Sequence, residues 1–431
     1  MSNRLLKVYA IAVLLGVITG IVSSCFQLAI QYLDTYMSQS FSYIKDHGGP
    51  VGLFSTLLSM VMVYIAWLMV RDIAPEAAGS GIPEIEGALA HVRPIFWRRL
   101  LPVKFVAGVI SISSKLVFGR EGPTIQMGGN LGDMLGEFFK LTQARRDILI
   151  MAGAAAGLAS AFNAPLAGVL FVMEELRYEF NFTFTNFKLV AIACMMATIA
   201  MHCIIGSGPA ISMDVFEQPN LQSLWLFFLF GIMVGFVGLL FNKGMMLTLA
   251  LMDKITKKRT RVGYVLLVGA LAGYFAYYQP NVVGGGYSII HQAVTLTPGF
   301  SVLITLIVVR FFTTMISYST GAPGGFFAPM LALGSLLGTA AFYVLNYLIE
   351  DLTVHPGMFA VAGMGALFSA AVRAPITGII LVVEMTQNYS LILPLMVSCL
   401  TSTTIMQLAA DQPIYTQLLR RTLKKERQLV R

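Results

Sequence analysis

"KLVFGREGPTIQMGG" occupies Lys115 to Gly129. Apolar residues lead into a glycine turn. Arg120 and Glu121 stand side by side within it, and Pro123 follows. Glycine and proline end helices or start them. The stretch therefore reads as a helix start in apolar surroundings, with a carboxylate at its mouth.

The surroundings are those of a membrane protein. Of 431 residues, 57% are hydrophobic and only 12% are charged, about half the charged share usual for a soluble domain. Mean hydropathy is +0.76, which implies an all-α, multi-pass integral membrane protein in contact with the lipid bilayer. The N-terminal run "MSNRLLKVYAIAVLLGVITGIVSSCFQLAI" lacks a small-residue cleavage motif and reads as a retained first span. Cys25, Cys194, Cys203 and Cys399 all lie in apolar stretches without C-x-x-C spacing. They read as small core residues, neither metal ligands nor disulfides. The histidines form no metal-binding pattern. The net charge of +8 does not point to nucleic acid, because the basic residues cluster between apolar segments. Those clusters are Arg4 and Lys7, Arg93 to Lys104, Arg145 and Arg146, Lys254 to Arg261, and Arg420 to Arg431. By the positive-inside rule they mark cytoplasmic loops and two cytoplasmic termini. The loops around Asp46, around Asp214 and Glu217, and around Glu350 and His355 are expected outside.

Residues 5 to 33, 54 to 70, 223 to 251 and 301 to 317 fit full helices. Other apolar stretches are broken by Gly and Pro, as in "AAGSGIPEIEGAL" and "STGAPGGFFAPMLALG". Broken helices at membrane depth are tolerated only inside protein or beside a water-filled cavity, as in transporters and channels. An internal repeat supports this reading. Gly119, Pro123, Gly128 and Gly132 recur 206 residues later as Gly325, Pro329, Gly334 and Gly338. Ala164, Pro165, Gly168 and Glu174 recur 210 residues later as Ala374, Pro375, Gly378 and Glu384. The chain thus divides into two related membrane halves, 1–215 and 216–415, with a short basic tail over 416–431.

Three glycine turns run into a proline: "GSGIP" at 79–83, "GREGP" at 119–123 and "GGFFAP" at 324–329. Each reads as a helix start, with proline at the first helical position. Helix N-termini carry unpaired N–H groups and a partial charge of about +0.5. Several converging on one point would bind an anion without a full cation, which would hold it too tightly to release. Ser80 adds a hydroxyl donor. Glu121 can then compete with a bound anion for the same amides until a proton neutralises it, which makes it both a gate and a proton carrier. Glu174 has a twin in Glu384, which suggests a shared structural role such as helix-end capping. Glu175 stands opposite Met385 without a carboxylate twin, and is the stronger functional candidate. A solvated helix end beside Arg177 is its bland alternative.

At these residues the sequence resembles the CLC family of chloride channels and chloride/proton antiporters, through GSGIP, GREGP, GGFFAP and Tyr415 in "DQPIYTQLL". The resemblance runs over nearly the whole chain. It implies a homodimer whose subunits each carry a pore, built from two inverted-topology repeats of tilted, broken helices. Ser80 and Tyr415 would hold the central chloride by their hydroxyls. Gly81 and Ile82 belong to the same helix start, and the backbone amides of Phe326 and Phe327 would complete the site. Glu121 would be the external gating glutamate and Glu175 the internal proton-transfer glutamate. Family channels usually lack the acid at Glu175, so the resemblance favours a chloride/proton antiporter over a passive channel. Ser80 favours chloride over nitrate. No CBS domains fit after Tyr415, and no cofactor beyond the transported chloride is implied. A membrane enzyme using Glu174 and Glu175 ranks far below, having no accompanying nucleophile or metal-ligand set. The expected setting is a prokaryotic inner (plasma) membrane.

Overall fold

The computed structural model describes residues 2–176, 182–213, 216–295, 299–349 and 354–429. Arg177, Asp214, Glu350 and Arg431, named above, lie outside the described residues. The first half contains α1 (Ser2–Asp46), α2 (Val51–Asp72), α3 (Ile82–Leu89), α4 (Trp97–Ser113), α5 (Glu121–Phe138), α6 (Gln143–Phe162), α7 (Pro165–Glu175) and α8 (Phe184–Ile204). The second repeats that series as α9 (Leu224–Asp253), α10 (Lys258–Tyr278), α11 (Tyr287–Thr295), α12 (Phe300–Ser319), α13 (Phe327–Leu348), α14 (Pro356–Val372), α15 (Pro375–Thr386) and α16 (Ile392–Leu408). A last helix, α17 (Ile414–Leu429), carries Tyr415 and the basic tail.

Eight of these helices are long and apolar enough to cross a membrane. They include the four stretches expected to be full spans. Others are too short, since a crossing helix needs about 20 residues. The short α3 has 8 residues and α7 has 11. The interruptions fall at the Gly–Pro turns, and α3, α5 and α13 begin in the three expected ones. Their prolines do not occupy the first helical position, however. Pro83 is second in α3, while Pro123 and Pro329 are third in α5 and α13. Any first-turn N–H lacks an intrahelical partner, so a proline is tolerated throughout that turn.

The two halves pack alike. α5 lies on α6 as α13 lies on α14, and α1 lies on α8 as α9 lies on α16. Across the molecule α2 meets α10 and α7 meets α15, each helix touching its own counterpart. That is what an approximate two-fold axis requires. The close crossings show it in atomic detail. A Cβ on Gly128 would stand 2.1 Å from the Gly153 carbonyl oxygen, and one on Gly153 would stand 2.0 Å from that of Gly128. In the second half the reciprocal pair is Gly334 and Gly363, at 2.2 and 2.0 Å. Small residues bring membrane helices into backbone contact in this way.

Two further reciprocal contacts tie the halves together, and a third pair repeats within each half. Glu174, near the end of α7, accepts hydrogen bonds from the backbone N–H of Ile376 (3.0 Å) and Thr377 (2.6 Å) at the start of α15. Glu384, near the end of α15, accepts from Leu166 (3.1 Å) and Ala167 (2.8 Å) at the start of α7. The two acids therefore cap each other's helices, the structural role expected of a matched pair. Gly119 and Gly325 exchange two backbone hydrogen bonds, of 2.7 and 3.0 Å. Lys104 and Arg310 form the third pair. Lys104 donates to the carbonyls of Ala77 and Gly79, and Arg310 to those of Asn281, Val283 and Gly284. Both are fully buried. Lys104 is thus not the loop cation that its basic neighbours suggested, because its ammonium is spent on backbone carbonyls inside the protein. Cys194 and Cys399 are buried, whereas Cys25 and Cys203 are exposed, so only two of the four are core residues.

The crossings give a stability test. Gly334→Leu would force α13 from α14 and should destabilise the protein by about 2–3 kcal/mol or more, as overpacking does. Gly263→Ala, at a position with nothing within 4 Å of the added carbon, should be neutral or stabilising by up to ~1 kcal/mol. Thermal unfolding in detergent measures both, and equal melting temperatures would contradict the close-crossing account.

Candidate functional site

Three helix starts meet where the halves join. Gly79 and Gly81 have positive φ (61° and 83°), a conformation that suits glycine, and they swing the chain into α3. The Gly79 carbonyl accepts from Gly324 N–H at 3.0 Å, so the loop before α3 is bound to the loop before α13. Gly122 lies against Ser80: a Cβ there would stand 2.8 Å from the Ser80 carbonyl oxygen and 2.9 Å from Ser80 Cβ. With the Gly119–Gly325 exchange, this gathers the starts of α3, α5 and α13 in one place. Their N-cap residues are Gly81, Arg120 and Phe326, and none supplies a side-chain cap. By contrast, α7 and α15 are capped by glutamates. The uncapped starts leave amide donors and helix-dipole charge facing inward.

Glu121, the first residue of α5, is fully buried. Its Oε1 accepts a hydrogen bond from the Tyr287 hydroxyl at 2.5 Å. Its Oε2 has no hydrogen-bond partner among the described residues and lies beside Gly119 and Ala328. The amides of Glu121 itself and of Ala328 face the carboxylate. A carboxylate thus stands at the start of α13, where a free anion would be favoured. The adjacent Arg120 places its guanidinium over the Tyr287 ring, 5.4 Å from the centroid, and donates to the Ala161 carbonyl at 3.2 Å. Among the described residues it forms no ion pair with Glu121.

Ser80 and Tyr415 are also fully buried. Neither Ser80 Oγ nor the Tyr415 hydroxyl makes a hydrogen bond of good geometry to the protein among the described residues, although the Tyr318 hydroxyl lies beside Ser80. A buried hydroxyl without a partner is unfavourable by about 1–3 kcal/mol, so two near the same helix starts point to a ligand. The Tyr415 ring stacks on Phe326 at 5.3 Å, and Phe327 is wedged between Phe162 (5.1 Å) and Phe368 (4.4 Å). These rings fix the start of α13 and wall the site with apolar surface. Gly81 and Ile82 form the start of α3 beside Ser80. Glu175 is the last residue of α7, half-buried, and both it and Glu121 lie within electrostatic reach of the Tyr415 hydroxyl.

A cavity of about 370 Å³ opens beside Gly79 and Gly81 and is lined by Arg93, Arg261, Arg421 and Lys425 along with Glu84 and Glu426. Three of the basic clusters read as cytoplasmic contribute to it. Arg93 pairs with Glu84 at 2.8 Å and also with Glu426, and Arg421 pairs with Asp253 at 2.5 Å, so α17 is tied to the cavity rim. The excess of cations there favours anion entry.

Two features escaped sequence reasoning. One is Tyr287. The other is that "GGGYS" at 284–288 is the second half's copy of "GSGIP". Gly284 and Gly286 have positive φ (72° and 96°) like Gly79 and Gly81, 205 residues earlier. The sequence signal was the spacing of the glycines; the missing proline hid it.

The match to known proteins is broad. The family model for voltage gated chloride channels matches residues 60–407. The chain is 43% identical over 429 residues to the H(+)/Cl(-) exchange transporter ClcA of Vibrio parahaemolyticus, covering 98% of this chain and 91% of the relative. It is 44% identical over 430 residues to the transporter of the same name in Vibrio cholerae, with the same coverage. Among solved structures it is similar to a slow cyanobacterial Cl-/H+ antiporter, with a TM-score of 0.93 and 38% identity over 98% of this chain and 99% of that one. A CLC-type fluoride/proton antiporter shares the fold, with a TM-score of 0.77 and 20% identity over 95% and 97% of the two chains.

If the two unpartnered hydroxyls serve an anion, Ser80→Ala and Tyr415→Phe should each weaken chloride binding about tenfold, the loss of one hydrogen bond to a charged group. Calorimetric titration of purified protein tests this. Unchanged affinity in both variants would remove the hydroxyls from the site.

Proposed function

The chain belongs to the voltage-gated chloride channel family, and on that premise we propose that it exchanges chloride for protons across the membrane. The observation that carries the reading is the Glu121 carboxylate facing the Ala328 amide at the start of α13 and its own amide at the start of α5. Ionised, it is a tethered anion that keeps chloride from that position. A proton removes its charge and with it the attraction to the helix ends, so chloride can take its place. Chloride passes from there to the position served by Ser80, Tyr415 and the Phe326 and Phe327 amides, with Gly81 and Ile82 shaping the start of α3. Loss of the proton restores the charge, and the ionised side chain then returns and displaces chloride. Each visit of chloride is thereby linked to protonation of one carboxylate.

Glu175 hands protons between the cytoplasm and Glu121. Support comes from its half-buried position, its electrostatic proximity to Tyr415, and the relatives' description as exchange transporters. Glu174 is committed to capping α15, which explains why the two neighbouring acids differ. The transporter sits in a bacterial inner membrane with both termini cytoplasmic, a reading supported by the cationic cavity and the basic clusters around it. The halves 1–215 and 216–415 form the repeats, and the basic tail 416–431 follows, its residues up to Leu429 lying within α17. The chain pairs as a homodimer, as the family resemblance implies. The exposed Leu166 and Ile376 on the adjoining α7 and α15 suit such a contact. Light scattering of the detergent-solubilised protein should give twice the chain mass, and a monomer mass would count against it.

Exchange is tested in liposomes. An imposed chloride gradient should drive protons uphill; chloride flux with a flat proton signal would make the protein a passive channel instead. Glu121→Ala should keep chloride flux and lose its coupling to protons. Glu175→Gln should abolish proton movement while chloride still passes, and Glu174→Gln should change coupling little. If Glu174 rather than Glu175 proves essential for protons, the assignment of roles is reversed.

A further inference from the structure

We infer that Tyr287 is a positioning residue for Glu121, a latch that holds the ionised carboxylate in the anion's place. The inference rests on the exchange reading above and adds a residue to it. The geometry begins with the repeat. In each half, two glycines of positive φ turn the chain into a short helix: Gly79 and Gly81 before α3, Gly284 and Gly286 before α11. In each half a buried cation grips the carbonyls of that turn, Lys104 in the first and Arg310 in the second. The copies differ in what they present. The first offers Ser80, whose hydroxyl is buried and unpartnered. The second has Gly285 at that position, and offers the Tyr287 hydroxyl, which donates to Glu121 Oε1 at 2.5 Å.

The other oxygen of Glu121 lies against Gly119 and Ala328. The carboxylate therefore faces helix-start amides on one side and is held by the Tyr287 hydroxyl on the other. A hydroxyl donating to an ionised carboxylate makes a bond about twice as strong as one to a neutral acceptor. The latch thus favours the ionised, chloride-excluding state and weakens once Glu121 takes up a proton. The charged or titratable groups facing Glu121 are Arg120 from its own turn, Tyr287 from α11 and, at longer range, Tyr415 from α17. From α13 the uncharged Ala328 lies against the carboxylate. Arg120 lies over the Tyr287 ring and also reaches its hydroxyl, so phenylalanine would keep the ring contact alone.

Calorimetric chloride titration at fixed pH on wild type, Tyr287→Phe, Glu121→Gln and the double variant tests the latch, since a double-mutant cycle isolates the pair. In the wild-type background Tyr287→Phe should tighten apparent chloride binding about threefold to tenfold, because the competing carboxylate is held less firmly. In the Glu121→Gln background the same change should have no effect. In liposomes, the midpoint of acid-stimulated chloride flux should move to higher pH in Tyr287→Phe, since the ionised form has lost a donor. Equal effects in both backgrounds would mean that Tyr287 merely shapes the pore, and no effect in either would remove the latch; both overturn the inference while leaving the exchange reading intact. Wild-type protein that binds no chloride would overturn the anion site and the latch with it.

Discussion

The structure depends on one pair of hydrogen bonds, the exchange between Gly119 and Gly325. Backbone groups without partners are costly at membrane depth, so a helix that begins there needs its approaching strand of chain satisfied. Here each half satisfies the other. The exchange sets the starts of α5 and α13 nose to nose. Gly79 and Gly324 join the loop of α3 to the same knot. Once these loops are paired with one another, the first-turn amides remain as the unspent donors, and they face the space enclosed between the halves. The proposed anion site would thus be a by-product of how two broken helices can be buried at all.

A symmetric scaffold holds asymmetric chemistry, and the asymmetry separates roles. Where both copies keep the same group, it is structural: Glu174 and Glu384 cap reciprocal helices, Lys104 and Arg310 brace reciprocal loops, and the glycine pairs of α5–α6 and α13–α14 set reciprocal crossings. Where the copies differ, the group is one that the proposed exchange assigns to the ion or the proton. Glu121 stands opposite Phe327, Ser80 opposite Gly285, and Glu175 opposite Met385. A purely structural acid would gain nothing from losing its twin.

This contrast also explains what could be read from the sequence. GREGP and GGFFAP were legible because small residues at fixed spacing survive in both halves, and backbone contact tolerates little else there. Glu174 and Glu175 could be told apart because only one is repeated. The start of α11 was obscured because its turn kept the glycines of GSGIP and lost the proline, which is a convenience of the first turn and not a requirement. Its exact placement in the turn was misjudged for the same reason. Lys104 looked like a loop cation because charge in sequence carries no burial; only the fold shows carbonyls waiting for it. Tyr287 was invisible as a partner of Glu121, since a contact across 166 residues leaves no local pattern.

The buried cations show why such a site can release what it binds. An ammonium in direct contact with chloride inside low-dielectric protein would bind it strongly. Lys104 is close to the α3 start but turns its charge into the carbonyls of Ala77 and Gly79, so an anion bound there would meet amide dipoles with the cation behind them. The attraction is then spread over several weak donors. A single carboxylate, brought by α5 and carrying its own charge, is a competitor of comparable strength for those donors. Had the site been built from a bare lysine, Glu121 would form a permanent ion pair with it, and protonation would no longer decide which anion occupies the place. A site made of helix ends keeps the carboxylate and chloride close enough in energy for one proton to choose between them.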